Sequence, residues 1–479
     1  MIKEYKKYFA DAKTTGVGEY KAYVIKGDTK SSFTSLINLL DKNLIQYGYG
    51  SRVNVNGYNY FTGKEESFSV NENDIVISAF QPRSALIKVL FEPKSKLNDS
   101  ATYDITAWSL PYVYGLQTYA SKSVLVPGQP ALKTSGSGID NTAYAFAVRW
   151  NGVTSVKMLG AMLKEGIRVR FSENAFEVNG KRFEKGTLLI TRAANKSFEG
   201  KLGAVINNLS LKYGIETTSL TTGFVDKGLD FGSPSVKIIK KPNVVLLTGT
   251  GVGSLAAGEI WNFFEQQLDY PLTLVNADDI GRMNLNDADV IILPDGNYRF
   301  LGDKGNTDKL KEWINKGGKL IALEGAVAQM AGGDWGIKMK KAEDDKDKKD
   351  VYEPLKRYEE REKDFLKGNI PGSIYRVTLD NSHPLAFGYP DFYYTLKQDD
   401  NVAEFIKENG WNVGVIKKEG QVAGFVGSKL KEKLKDGLLF GVQDMGNGSI
   451  VYFVDDIIFR SFWENGKLIF SNAVFLVGQ

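Results

Sequence analysis

Asn243-Val-Val-Leu-Leu-Thr-Gly, residues 243–249, is the stretch that decides the fold of the C-terminal half of this chain. It is a continuous apolar run, which is typical of a strand buried on both faces inside a parallel sheet. Two similar runs follow at residues 288–294 and 319–323, and helical patterns at 254–268 and 307–316 separate the three. Because strands alternate with helices here, the sequence predicts a doubly wound, flavodoxin-like domain over residues 241–479.

Two smaller α/β units are predicted before this domain. Residues 1–126 follow the order strand, helix, hairpin, strand, helix, and residues 139–240 follow the same order, with residues 168–178 as one strand of the second hairpin. Glu72-Asn-Asp-Ile-Val-Ile-Ser and Glu184-Lys-Gly-Thr-Leu-Leu-Ile-Thr hold equivalent places in the two units. We interpret the pair as a tandem repeat, with two unrelated α/β segments as the alternative.

The remaining segments connect or extend these units. Residues 127–138 are rich in proline, glycine and serine and predict a connector. Residues 103–115 are dense in aromatic side chains and predict a packed seam between domains, with a ligand-stacking surface as the alternative. The mixed-charge run at 339–368 predicts a solvated helical insertion or a mobile loop. Residues 451–456 and 459–475 predict the last strand and an aromatic docking helix.

Scarcity of coordinating side chains limits the chemistry of the chain. Its 479 residues include one histidine, His383, and no cysteine. Catalytic zinc usually takes three protein ligands, often two or three of them imidazoles, and thiolate chemistry and disulfides need cysteine. We therefore expect no metal site, no cofactor and no disulfide within this chain, which leaves carboxylate, lysine, serine or tyrosine chemistry.

Composition and charge describe a folded protein without a membrane or nucleic-acid signal. Hydrophobic residues make up 42% of the chain and charged residues 25%, and the formal net charge of +4 is scattered. The lysine-rich N-terminus lacks the apolar core and cleavage site of a signal peptide. No apolar run approaches the roughly 20 residues that a bilayer span needs. These features predict no nucleic-acid partner and no membrane span.

A glycine-rich turn follows the first apolar strand of the C-terminal domain. Gly249, Gly251 and Gly253 precede a helix that starts at about Ser254, and a helix N-terminus offers free N–H groups to an anion. The spacing is not the full dinucleotide fingerprint. A tight strand-to-helix turn is the simpler explanation, and a small-molecule or anion-binding module that uses Gly249–Ser254 is the alternative.

Two further positions are candidates for acid or base chemistry. Glu324 lies at the sharp turn between a strand and a helix, where many α/β enzymes place a nucleophile, and Asp295 follows a neighbouring strand. His383 precedes Pro384, which forces an extended or turn geometry on it. Structural roles, as a helix cap or a loop hydrogen bond, are the simpler explanation for these residues. A carboxylate-based hydrolase that uses Glu324 and His383 is the alternative.

Five stretches together resemble the C-terminal half of a family of large bacterial zinc carboxypeptidase-like proteins. They are Ile75-Val-Ile-Ser-Ala-Phe-Gln-Pro-Arg-Ser, Ala85-Leu-Ile-Lys-Val-Leu-Phe-Glu, Tyr103-Asp-Ile-Thr-Ala-Trp-Ser-Leu-Pro, Leu379-Asp-Asn-Ser-His-Pro-Leu-Ala-Phe-Gly and Phe459-Arg-Ser-Phe-Trp-Glu-Asn-Gly-Lys-Leu. The resemblance covers nearly the whole chain. It implies that a signal peptide and a peptidase domain precede this region, which ends in a class I glutamine-amidotransferase-like domain.

The resemblance also implies which chemistry lies elsewhere. The zinc ligands and the general-base glutamate of that family belong to the peptidase domain, so none of them is assigned to a residue of this chain, and zinc is expected only in that domain. Glu324 stands where an amidotransferase has its cysteine, and a carboxylate cannot form the thioester. The expected function is a non-catalytic accessory portion that packs against a peptidase domain or subunit, or presents substrate to it. The implied location is periplasmic or secreted.

Overall fold

The computed structural model describes residues 1–28, 30–94, 105–129, 139–341, 355 and 357–479. The described strands form three large sheets and one separate hairpin, and the large sheets follow one another along the chain. No helix among these residues is long and apolar enough to cross a membrane.

The first sheet has six strands, all paired antiparallel. Its strands and helices are β1 (Ala22–Ile25), β2 (Gly48–Tyr49), β3 (Val53–Asn59), β4 (Lys64–Val70), β5 (Ile75–Ser78), β6 (Thr118–Ser121), α1 (Ile2–Thr14), α2 (Ser31–Lys42), α3 (Ser84–Phe91) and α4 (Leu110–Tyr114). The spatial order is β2-β5-β1-β6-β3-β4. Strand β1 lies in the middle, and all four of its residues are buried.

The second sheet has five strands, also antiparallel, and a separate hairpin of β9 and β10. Its elements are β7 (Ala145–Val148), β8 (Arg170–Ser172), β9 (Phe176–Val178), β10 (Lys181–Phe183), β11 (Leu188–Thr191), β12 (Thr217–Leu220), β13 (Val236–Ile238), α5 (Val153–Lys164) and α6 (Leu202–Tyr213). The order of the sheet is β12-β7-β11-β8-β13. The single strand predicted at residues 168–178 is wrong: the chain turns after Ser172, whose hydroxyl donates to Asn174 O at 2.7 Å, so β8 joins the sheet and β9 joins the hairpin.

The first two sheets share one topology. The order β6-β1-β5-β2 in the first corresponds strand for strand to β12-β7-β11-β8 in the second, and every pair in both is antiparallel. Each set has the chain order βαββαβ, with a hairpin inserted before its third strand. That order is the split βαβ arrangement of ferredoxin-like units. The first two units are therefore mixed α/β folds whose sheets are antiparallel.

The third sheet has ten strands. Its elements are β14 (Val244–Thr248), β15 (Thr273–Asn276), β16 (Val290–Leu293), β17 (Lys319–Leu323), β18 (Gly372–Leu379), β19 (Phe392–Lys397), β20 (Gly410–Ile416), β21 (Gln421–Phe425), β22 (Gly437–Met445), β23 (Gly448–Phe453), α7 (Ser254–Asn262), α8 (Lys304–Asn315), α9 (Gly325–Met330), α10 (Arg361–Lys367), α11 (Lys431–Leu434) and α12 (Lys467–Phe475). A π-helical segment, Phe263–Leu268, continues α7.

One half of this sheet is parallel and has the flavodoxin-like strand order. Strands β15-β14-β16-β17-β23 are neighbours and run parallel, which is the order 2-1-3-4-5 in chain sequence. The doubly wound part of the prediction is thus present. The antiparallel half, β22-β20-β18-β19 with β21 beside β18, extends the sheet beyond that part and was not predicted.

Two further predictions for the third unit concern the charged run at residues 339–368 and the C-terminal helix at residues 459–475. The charged run falls largely on residues 342–354 and 356, which lie outside the described residues, and α10 follows it. Of the helix predicted at residues 459–475, residues 459–461 and 464–466 form short 3₁₀ turns. Only Lys467–Phe475 form an α-helix, α12, and all nine residues of α12 are buried. Its interior position explains why it lacks a polar face.

A seam of aromatic side chains joins the first unit to the third. The ring of Tyr112 lies 4.7 Å from that of Tyr394 and 5.1 Å from that of Tyr60, centroid to centroid. The Tyr394 hydroxyl donates to Tyr60 O at 3.0 Å. Thr106 Oγ1 donates to Gly372 O at 2.5 Å and accepts from Phe425 N at 2.8 Å. These contacts confirm the packed seam for residues 105–115; residues 103 and 104 lie outside the described ones.

Candidate active-site elbow and carboxylate cluster

Glu324 occupies a sharp turn at the carboxyl end of β17, immediately before α9. Its backbone has φ 45° and ψ −112°, which places a non-glycine residue in a sparsely populated region. Its N–H donates to Phe453 O at the end of β23, at 2.8 Å. Such a conformation costs roughly 1–3 kcal/mol and persists only where the surrounding structure holds it. The strand-turn-helix geometry predicted for Glu324 is therefore present, and it is that of a nucleophile elbow.

Five carboxylates gather at this edge of the parallel strands. They are Glu259 on α7, Asp295 after β16, Glu324 after β17, and Asp455 and Asp456 after β23. We call this group the carboxylate cluster. In a flavodoxin-like sheet, ligands bind outside the carboxyl ends of the strands, so the cluster occupies the usual functional edge.

Burial and mutual repulsion change the protonation of the cluster. Burial, reinforced by the charges of Asp456, Asp295 and neighbouring acids, raises the pKa of Glu324 from 4.5 to about 9. Burial raises the pKa of Glu259 to about 7, against hydrogen bonds from Asp456 and from the backbone N–H of Arg460 that lower it. Burial, together with the adjacent Glu259, also raises the pKa of Asp456. Glu324 therefore keeps its proton at neutral pH.

Asp455 differs from its neighbours because it has a buried cation as a partner. Lys397 Nζ forms an ion pair with it and also donates to Asn401 O at 2.6 Å. Thr395 Oγ1 donates to the other carboxylate oxygen at 2.7 Å. Burial raises the pKa of Asp455, and the Lys397 charge opposes that rise. The pair anchors the chain after β23 to β19.

Asp295 binds the backbone N–H that would stabilise an oxyanion in an enzyme with a nucleophile elbow. Its Oδ1 accepts a hydrogen bond from Gly325 N, the first N–H after the elbow, at 3.0 Å. An oxyanion hole needs such an N–H free to meet the developing charge. The elbow thus holds a protonated carboxyl beside an N–H group that is already satisfied.

The glycine-rich turn was a candidate anion site at Gly249, Gly251, Gly253 and Ser254. In the structure Gly253 N donates to Asp295 O at 2.9 Å, and Gly251 O accepts from Asn297 N at 2.8 Å. A Cβ built on Gly253 would lie 3.5 Å from Asp295 Oδ2, so the carboxylate stands beside the start of α7. An anion there would face a negative charge. The turn therefore serves the packing of β14, β16 and α7, and its geometry gives an anion no support.

His383 lies in the connection between β18 and β19, away from the cluster. Its Nδ1 accepts a hydrogen bond from Leu385 N at 3.1 Å, which confirms the predicted structural hydrogen bond. Burial lowers its pKa to about 4, and Asp380 opposes that shift. The ring packs 6.1 Å from Trp411 of β20, three strands from β17. At about 4.8 Å per strand that is about 14 Å from the elbow strand, so the structure does not bring Glu324 and His383 together as a catalytic pair.

Three acids of the cluster were missed in the sequence, for different reasons. Asp455 and Asp456 end the apolar run Val451-Tyr-Phe-Val, and that strand-end position was an available signal. Glu259 gave no signal, because its burial depends on how α7 packs against the chain after β23. Within the described ranges, no group of three or more histidine, aspartate and glutamate side chains has the arrangement to hold a metal ion.

Comparisons with known proteins give distant similarities only. No family model matches the chain, and no curated protein matches it. Similar solved structures include a protein described as ThuA-like from Bacteroides uniformis, with 13% identity over 48% of this chain and 89% of that one and a TM-score of 0.30. A glutamine amidotransferase from Thermotoga maritima has 9% identity over 49% of this chain and 96% of that one, with a TM-score of 0.31.

A third similar structure is a beta-galactosidase from Bacillus circulans, with 10% identity over 47% of this chain and 30% of that one, at a TM-score of 0.28. TM-scores of this size are too low to carry an argument about fold or function. The fold assignment rests on the strand order of the chain itself, namely a flavodoxin-like parallel half-sheet with an elbow after its fourth strand.

Proposed function

We propose that this chain is a non-catalytic accessory portion of a larger zinc carboxypeptidase-like protein, and that its C-terminal unit is an amidotransferase-like domain without amidotransferase chemistry. The observation that carries the proposal is the state of the elbow. Glu324 occupies it with a carboxyl group whose pKa is about 9, and the neighbouring Gly325 N–H is already bound by Asp295. A neutral carboxyl is neither a base nor a nucleophile at neutral pH.

In this proposal the two preceding units are copies of one ancestral unit. Support comes from the shared strand order β6-β1-β5-β2 and β12-β7-β11-β8 and from the matching βαββαβ sequence of elements. Both units pack on the third, the first through the aromatic seam and the second through α5 against α12. Such a body would supply a rigid surface for a peptidase domain or subunit. The zinc, the signal peptide and the periplasmic or secreted location belong to the same proposal.

One metal analysis and two activity assays test the catalytic part of the proposal. We expect purified protein to contain no stoichiometric zinc, to release no C-terminal amino acid from blocked dipeptides, and to release no ammonia from glutamine. Zinc measured by plasma mass spectrometry together with chelator-sensitive peptidase turnover would overturn it. So would glutamine hydrolysis that disappears in Glu324→Gln and persists in Glu312→Gln, an exposed glutamate of α8 that serves as the control.

The accessory part of the proposal has its own test. The native locus should carry a zinc peptidase domain in the same reading frame or in the adjacent one, and the peptidase domain and this chain should co-purify when expressed together. A locus without any peptidase sequence, or a peptidase that migrates separately from this chain, contradicts the accessory assignment.

A further inference from the structure

A cavity of about 570 Å³ opens where the three units meet. Its wall includes Asp28 and Lys30 from the stretch between β1 and α2, residues 149–151 between β7 and α5, residues at the β9–β10 hairpin, and the loop at residues 381–389. The first two groups hold the same place in the two ferredoxin-like units, and the starts of α2 and α5 touch: a Cβ on Gly152 would collide with Ser31 Oγ. Small-molecule sites are usually of this size and occur preferentially at domain junctions.

The cavity carries more positive charge than its own acids neutralise. Four cations and two acids line it; they are Lys30, Arg149, Arg182, Lys185, Asp28 and Glu184. Arg182 Nε lies 2.8 Å from Glu184, and Lys30 Nζ lies 3.9 Å from Asp28. Among the described residues, neither Arg149 nor Lys185 has an ion-pair partner. Two cationic groups therefore face the cavity without a protein counter-charge.

The arrangement around Arg149 fixes its position. Its guanidinium lies 4.9 Å from the centroid of the Phe183 ring, a cation–π contact that holds the group at the wall while its N–H donors remain available. Helix α5 begins at Val153, two residues after Asn151 of the cavity wall. The available donors of the Arg149 guanidinium favour an anion.

The rest of the wall is apolar and aromatic. Trp150, Phe387 and Tyr389 line it, and the Trp150 indole is held by a 2.7 Å hydrogen bond from Nε1 to Asn472 Oδ1. Flat apolar surface beside two unpaired cations fits a ligand with a hydrocarbon or aromatic body and one acidic end. A guanidinium fork matches a planar carboxylate. The acids Asp28 and Glu184 at the same wall disfavour a doubly charged phosphate by repulsion.

We propose that this cavity is a binding site for a small organic carboxylate, with Arg149 and Lys185 contacting the carboxylate and Trp150, Phe387 and Tyr389 contacting its apolar body. The site is separate from the carboxylate cluster and shares no residue with it. It goes beyond the accessory role proposed above and does not depend on it.

Isothermal titration calorimetry with three probes tests the site on the intact chain. The probes are hippurate, which has a benzoyl body and a carboxylate; hippuramide, its neutral amide; and inorganic phosphate. We expect hippurate to bind, and hippuramide and phosphate to bind at least about tenfold more weakly, which corresponds to about 1.4 kcal/mol for the lost charged contact. Arg149→Gln and Lys185→Gln should each weaken hippurate binding by a similar factor.

The control variant is Arg361→Gln. Arg361 also lies over an aromatic ring, at 4.2 Å from that of Tyr358, but does not line the cavity. The Arg361→Gln variant should bind hippurate with the affinity of the wild type. Equal hippurate affinity in the wild type, Arg149→Gln and Lys185→Gln would overturn the proposal. Tighter binding of phosphate than of hippurate, or no hippurate binding at about 10 mM, a concentration at which even a millimolar site would be occupied, would also overturn it.

Discussion

Replacing Glu324 with glutamine should change how the stability of the third unit depends on pH. The folded protein raises the pKa of this carboxyl from 4.5 to about 9 through burial and neighbouring acids. In the unfolded chain the group titrates near its ordinary value. Between the two values the folded state therefore holds a proton that the unfolded state has released, and unfolding becomes progressively easier as pH rises.

The size of the effect follows from the two pKa values. Below about pH 4.5 the carboxyl is neutral in both states and contributes no pH dependence. From about pH 5 to about pH 8, Glu324 alone should lower the free energy of unfolding by up to about 4 kcal/mol, since each tenfold change in proton concentration is worth about 1.4 kcal/mol. Glu259, whose pKa is raised to about 7, adds a smaller decline over the lower part of this range.

Urea denaturation of the wild type and Glu324→Gln across this pH range measures the difference. Glutamine is neutral at every pH, so the variant should match the wild type near pH 5 within about 1 kcal/mol and exceed it clearly near pH 8. Some decline should remain in the variant because Glu259 and Asp456 still titrate. Glu312→Gln, an exposed control whose carboxyl pKa is lowered by Lys316, should leave the wild-type slope nearly unchanged.

Parallel stability curves for the wild type and Glu324→Gln between about pH 5 and pH 8 would refute this reasoning. They would mean that Glu324 is ionised in the folded protein, and the elbow would then carry a charged carboxylate available for chemistry. The same result would weaken the non-catalytic assignment directly. The experiment therefore tests the electrostatic argument and its functional consequence together.

Three further substitutions probe contacts between and within the units. Asn472→Ala removes three buried hydrogen bonds, to the Trp150 indole and to the carbonyls of residues 385 and 387, and should lower stability in urea by about 3 kcal/mol; an unchanged midpoint contradicts this. Lys397→Met leaves Asp455 buried without its cation and should lower the free energy of unfolding in urea by about 3–5 kcal/mol. The double variant Lys397→Met, Asp455→Asn should recover most of that loss in the same assay. Thr106→Val loses two hydrogen bonds at the seam and should lower the free energy of unfolding by about 2 kcal/mol, which a lower melting temperature reports. Thr14→Val on exposed α1 should leave the melting temperature unchanged.

The central parallel strands β14, β16 and β17 were predictable because each is a nearly continuous apolar run that is buried in the sheet. Val244–Thr248 and Lys319–Leu323 are covered on both faces, so no polar alternation interrupts them. Strands β6 and β12 were not predictable in the same way. Thr-Tyr-Ala-Ser and Thr-Thr-Ser-Leu are short and polar, yet β6 lies inside the sheet between β1 and β3 with all four residues buried. Their position comes from long-range pairing that local pattern does not encode.

At the elbow, too, the local sequence predicts the turn, whereas the chemistry of the turn depends on residues that are distant in the chain. The sharp turn at Glu324 follows from a buried strand that meets a Glu-Gly pair, which is local information. The protonation of Glu324 depends first on its burial and then on Asp456 and Asp295, which follow two other strands and are brought near it by the 2-1-3-4-5 strand order. Sequence spacing therefore located the position, whereas its chemistry depends on neighbours from elsewhere in the chain.

The carboxylate cluster and the cavity between the units differ in one respect. The charged groups of the cluster already have partners within the described part of the protein, and two of those in the cavity do not. In the carboxylate cluster the acids keep protons or accept hydrogen bonds from Gly325, Arg460 and Lys397, so the structure itself meets their electrostatic needs. In the cavity between the units, Arg149 and Lys185 have no such partner among the described residues, and an apolar wall lies beside them. A satisfied cluster gains little from a ligand, whereas unpaired cations in a concave site gain charge-assisted hydrogen bonds from one. We therefore expect a ligand to bind in the cavity rather than at the elbow.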